Sequence, residues 1–238
     1  MPFHPGLKRS AISALICLHC TWAAAHTVWL AGDPEHAGWH VLRFGGHAGK
    51  LEPLDPAKLG EVAGYDRQGQ IVPLERQGEG VLVRLRLPES VSLVSVSYDN
   101  GFWSTGADGR SVNRPMNEVP GATRGVWARK YHKYIAHWDA SVTRTIGQAF
   151  ELVPLEAKQP VAGQTMRLRV LIDGQPAEGI RFGNSEAGEL AASDAEGVAT
   201  VPVRPGANTL WAGRRTPMTD DVRATELSIE YILGFDAR

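Results

Sequence analysis

Cysteine is almost missing from these 238 residues. There are two, Cys17 and Cys20, both within the first twenty positions. If that leading segment is removed, the remaining chain has no disulfide, no thiolate metal site and no cysteine nucleophile. Lipid attachment at Cys20 is excluded as well, because His19 stands before it where a small residue is needed. Long apolar runs are missing too. After residue 25 no segment approaches the 18 unbroken apolar positions of a membrane-spanning helix. Charge of either sign is interspersed and never concentrated, which argues against a nucleic-acid surface. Several catalytic signatures are absent: no G-x-S-x-G elbow, no H-E-x-x-H pair, no calcium-loop pattern, no glycine-rich phosphate loop ahead of a helix.

The first 25 residues have the three parts of a secretory signal peptide. Lys8 and Arg9 supply the positive region, residues 11–18 an apolar core too short to span a bilayer, and Ala23-Ala24-Ala25 the small residues of a cleavage site. Cleavage after Ala25 leaves 213 residues, enough for one large or two small domains. Taking Lys8 and Arg9 from the 25 basic residues leaves 23 against 26 acidic, a balance of −3. The new first residue is His26, which then offers an imidazole and a free α-amine together.

The 26 glycines and 15 prolines are scattered singly, as short strands separated by turns require. Val28 and Leu30 mark a first strand, and residues 39–44 a second after the turn-rich stretch 31–38. Prolines 53 and 56 keep residues 51–59 out of any central strand. Strands are expected at 61–65 and 70–74, around a turn at Asp66-Arg67-Gln68-Gly69. The clearest alternation is in residues 81–87, with Val81, Val83, Leu85 and Leu87 inward and Arg84 and Arg86 outward. Residues 91–99 form the next strand, and residues 99–125 read as a long ordered loop. Residues 127–140 have a partly helical spacing of Trp127, Tyr131 and Trp138, but strand neighbours favour strand. Residues 141–146 are strand-like.

A boundary is expected at residues 156–160. Beyond it Asp173-Gly174 marks a hairpin, with residues 166–172 pairing back to 179–182. Asp194 to Gly197 is a turn, and strands follow at 198–203, 206–212 and 226–233. The expected fold class is all-β: two β-sandwich domains, Ig-like or prealbumin-like, over 26–157 and 158–238, after a signal peptide at 1–25.

Six histidines follow the expected cleavage: His26, His36, His40, His47, His132 and His137. Imidazole is a common ligand for zinc, copper and nickel. Asp33 and Glu35 are available as oxygen donors. His36 and His40, four apart, would share a face on either a helix or a strand. The expected metal ligands are His26 as anchor, with His36, His40 or His132 completing a site.

Several stretches carry a family resemblance: Ala25-His26-Thr27-Val28-Trp29-Leu30 directly after the signal, Phe150-Glu151-Leu152-Val153-Pro154-Leu155, Val170-Leu171-Ile172-Asp173-Gly174-Gln175-Pro176, and Ser193-Asp194-Ala195-Glu196-Gly197-Val198-Ala199. Together they resemble exported proteins of unassigned function often labelled nickel-uptake, NikM-like, periplasmic proteins. The last two stretches also resemble prealbumin-like modules of carboxypeptidase accessory domains. The resemblance implies a periplasmic β-sandwich pair with a role in transition-metal uptake, and it supplies no catalytic residue. The expected ligand is therefore a nickel, cobalt, zinc or copper ion, and the expected partner a membrane metal transporter or TonB-dependent receptor. Two alternatives stand beside this: a copper oxidase with a histidine brace at His26, and a structural or adhesive sandwich module that binds no metal.

Overall fold

Val83 and Leu85 are buried while the intervening Arg84 and Arg86 point away, so the clearest alternation in the sequence is a strand with one wet face. The same rule repeated along the chain gives an all-β structure. The computed structural model describes residues 26–46, 50–78, 82–184 and 189–238; the expected signal peptide, His47 and Val81 lie outside the described residues. In chain order the strands are β1 (Thr27–Gly32), β2 (Trp39–Gly45), β3 (Leu51–Glu52), β4 (Leu59–Asp66), β5 (Ile71–Val72) and β6 (Glu75–Gln77). Then come β7 (Val83–Arg86), β8 (Val91–Thr105), β9 (Ser111–Val112), β10 (Arg124–Ile135), β11 (Phe150–Pro154) and β12 (Thr165–Ile172). The last six are β13 (Gln175–Pro176), β14 (Arg181–Gly183), β15 (Ala191–Ala192), β16 (Val198–Pro202), β17 (Gly206–Pro217) and β18 (Glu226–Ala237).

These strands form three sheets. The central one runs β15-β14-β17-β18-β10-β8-β4-β5, with β9 on β8. An N-terminal sheet runs β1-β2-β7-β6 with β3 on β2, and a third runs β11-β12-β13 with β16 on β12. Alternation along β8 explains the layering. Leu93 packs into the core shared with the third sheet, while Val94 and Val96 pack into the core under β1, β2 and β7. The central sheet is therefore buried on both faces, with a separate apolar layer on each. Each fully buried valine or leucine in those layers contributes about 1.5–3 kcal/mol.

The boundary expected near residue 158 does not separate two cores. Strands β14, β15, β17 and β18 extend the sheet that holds β4, β8 and β10, and β18 lies parallel to β10 from Val126↔Glu226 to Ile135↔Phe235. Phe150 and Leu152 share one apolar cluster with Phe182, Leu210 and Tyr231. The polar, proline-bearing stretch 156–160 reads as a linker, yet it only carries the chain from β11 into the neighbouring β12.

Four local expectations also change. Residues 99–105 are not loop: β8 continues through them across a bulge, where Gly101 adopts φ +77°. The segment 127–140 is strand only to Ile135. Residues 140–143 form a 3-10 turn in which the Ser141 N–H donates to the capping Asp139 carboxylate at 2.8 Å. Finally, the partner of β12 in its hairpin is β13, with Asp173 and Gly174 both at positive φ as a two-residue type I′ turn demands, while β14 joins the central sheet.

Candidate metal centre

The turn between β1 and β2 is built on Asp33. Its backbone N–H donates to Trp39 O at 2.8 Å, and its Oδ1 accepts the Glu35 N–H at 2.9 Å, an Asx turn that fixes residues 33–36. Gly38 takes φ +79° to close it. Asp33 Oδ2 accepts from Arg84 Nε at 2.7 Å and lies 3.2 Å from His36 Nδ1. The Asp33 side chain is 3% exposed, that of His36 53%. Arg84 above all, then the Glu35 N–H, holds the Asp33 carboxyl down at about 2. Asp33 is thus a fixed anion beside a solvent-facing imidazole. One ligand atom each from Asp33, Glu35 and His36 lies within 4.8 Å of the others, a spacing that suits oxygen and nitrogen donors to a divalent ion.

The other three expected ligands do not join them. His26 stacks on Phe44 at 5.4 Å, and its Nε2 makes a 2.7 Å ion-pair contact with Glu52 Oε1 rather than a directed hydrogen bond. It precedes the Thr27↔Gly45 pair, whereas His40 pairs with Gly32 at the far end of the same ladder. Six residues of strand at about 3.3 Å each separate these ends by roughly 20 Å, so one ion cannot bridge them. His40 faces inward against Tyr134, ring centroids 5.2 Å apart. Burial pushes its pKa down, with Asp236 acting the other way. The expectation that His36 and His40 share a face fails because the segment between them is a turn, neither strand nor helix.

His132 is the firmest correction. It is fully buried on β10, its Nδ1 donates to Ile232 O at 2.8 Å, and its Nε2 accepts the Leu30 N–H at 3.0 Å. Both ring nitrogens are committed, so no lone pair remains for a metal. Desolvation lowers its pKa to about 4, against the weaker opposing pull of the Ile232 carbonyl.

The sequence matches a domain family of unknown function, DUF4198, over residues 23–215. The chain belongs to that family. It is also 31% identical over 236 residues to an uncharacterized protein of Haemophilus influenzae, across 98% of this chain and 99% of that one. The DUF4198 match runs unbroken through residue 158, in keeping with a central sheet that both halves build. Within this DUF4198 chain, sequence reasoning missed Arg84 and Glu52 as partners of Asp33 and His26. Arg84 stands 51 positions from Asp33, and only the β2–β7 register, Val41↔Arg84, brings it near. No local pattern encodes such a pair.

Proposed function

We propose that this protein is an exported, periplasmic binder of a divalent transition-metal ion, and that it serves a membrane metal transporter or TonB-dependent receptor. One observation carries the reading: the convergence of Asp33, Glu35 and His36 within 4.8 Å on one rigid turn. Three donors on an exposed turn leave the remaining coordination positions to water or to a partner's side chains, which suits an ion that is picked up and passed on. The resemblance to nickel-uptake proteins supports nickel as the first ion to try.

The test is calorimetry with nickel, cobalt, zinc and copper on protein exported and cleaved by its host, so that His26 carries its natural amine. One site of roughly micromolar affinity is expected, and it should vanish in the variant Asp33→Asn, Glu35→Gln, His36→Ala. Silence with all four ions, or binding unchanged in that variant, rules the reading out.

A further inference from the structure

Arg84 on β7 places a cation against the Asp33–His36 turn. Its Nε donates to Asp33 Oδ2 at 2.7 Å, and the Val41↔Arg84 register keeps it beside that turn. A guanidinium has five N–H donors in one plane, and only one of them is used here. Among the described residues the two terminal NH2 groups of Arg84 find no acceptor, and neither is sealed from solvent. The side chain as a whole is only 25% exposed, so the planar fork has a fixed base and unused donors.

This cation adjoins the candidate metal donors. Asp33 Oδ2 contacts both Arg84 Nε and His36 Nδ1, the latter at 3.2 Å. A divalent ion held by Asp33, Glu35 and His36 therefore stands beside a guanidinium. Two carboxylates then face three positive charges, and the excess charge repels the ion unless an anion joins it. Water fills open coordination positions but cancels no charge. A chelating carboxylate does both: its oxygens occupy metal positions, and a carboxylate edge matches the planar fork of an arginine.

We propose that the ion is bound together with a small chelating carboxylate, of the oxalate type, which bridges the metal and the terminal NH2 groups of Arg84. The inference rests on the metal-binding reading of the Asp33–His36 turn and adds the chemical form of the cargo. Arg84 then has two opposed effects: it repels the bare ion, and it recruits the ion's anionic complex.

The experiment is equilibrium dialysis of the full processed chain against nickel and radiolabelled oxalate, each alone and both together. Oxalate should be retained only when nickel is present, in equal amount with the bound metal. Arg84→Gln should still retain nickel, which shows that its turn is formed, while its nickel-dependent retention of oxalate falls about tenfold, the loss expected for charge-assisted hydrogen bonds. The variant Asp33→Asn, Glu35→Gln, His36→Ala should retain neither. Nickel retained without oxalate overturns this inference and leaves the metal reading standing. Oxalate retained without nickel, or retained equally by Arg84→Gln, overturns it as well. No nickel retained under any condition overturns the metal reading, and this inference with it.

Discussion

The backbone N–H of Leu30 donates a 3.0 Å hydrogen bond to Nε2 of His132, 102 positions further along the chain. Leu30 lies on β1, the outermost strand of the N-terminal sheet, and His132 at the middle of the central sheet. An edge strand has unpaired N–H groups, and here one of them is satisfied by a side chain from the sheet beneath. The Ile232 carbonyl accepts from Nδ1 and so fixes the tautomer, leaving Nε2 as the acceptor. One imidazole thereby fastens β1 to β10 and β18.

That bond needs a neutral ring, so it makes stability pH-dependent. The unfolded chain takes up a proton at His132 near the ordinary value of 6.5, whereas the folded chain does so only near 4. The stabilisation is complete above about 6.5 and is lost as the pH falls towards 4, because the unfolded state binds the proton first. Between pH 7 and 4 the native protein should lose about 3 kcal/mol more than His132→Gln, which cannot titrate. Urea midpoints measured for both across that range provide the check; parallel curves would remove His132 as the cause.

Lys133 points to the opposite face of β10. Its Nζ donates to Glu151 Oε1 at 2.8 Å and to Leu152 O at 2.9 Å, while Glu151 also accepts from the N–H groups of Ile146 and Gly147. Removing one charge strands the other in a dry layer. Glu151→Ala should cost about 3–5 kcal/mol, and Lys133→Met together with Glu151→Leu markedly less than the two single changes summed. Chemical denaturation of the four proteins of the cycle yields the coupling directly.

Arg84 competes with any cation for Asp33 Oδ2. Replacing it with glutamine keeps a donor but removes the charge. Under the proposed function Arg84→Gln should tighten metal binding by roughly five- to tenfold, about the effect expected from one partly screened neighbouring charge. Affinity should weaken in acid, since only a neutral imidazole ligates, whereas the Asp33 carboxylate, held down at about 2, stays ionised. Isothermal titration at two pH values, with and without the substitution, separates the two effects.

Gly234 sits between two rings. A Cβ there would lie 3.2 Å from both His132 Cε1 and Tyr134 Cδ2. Gly234→Ala requires the His132 or Tyr134 ring to give by a few tenths of an ångström, against the bond from Leu30 and the contact with His40 that hold them. A loss of about 1–3 kcal/mol is expected, and calorimetric melting would reveal it. An unchanged melting temperature would mean that the rings yield freely.

The sequence displayed the strands that obey a simple rule. Val83 and Leu85 against Arg84 and Arg86 set a face, and Asp173-Gly174 set a hairpin. What it concealed lies in β10. Lys130, His132 and Lys133 are residue types usually found at the surface, yet all three are buried, with Lys130 paired to Glu230 at 2.6 Å and Lys133 to Glu151. Partners 100 and 18 positions away satisfy them, and no local periodicity reports that. The same blindness made His132 look like a ligand. The Asp33–His36 turn was visible as donor-rich, but not that Arg84 would hold its carboxylate.

The parallel pairing of β10 with β18 also sets the order of assembly. Each residue from Val126 to Ile135 meets one a hundred positions later, as Val126 meets Glu226. A ribosome must therefore release almost the whole chain before the middle of the central sheet can close. Until then β10 has an open edge and its buried lysines lack their full set of partners. Such non-local pairing makes folding slow.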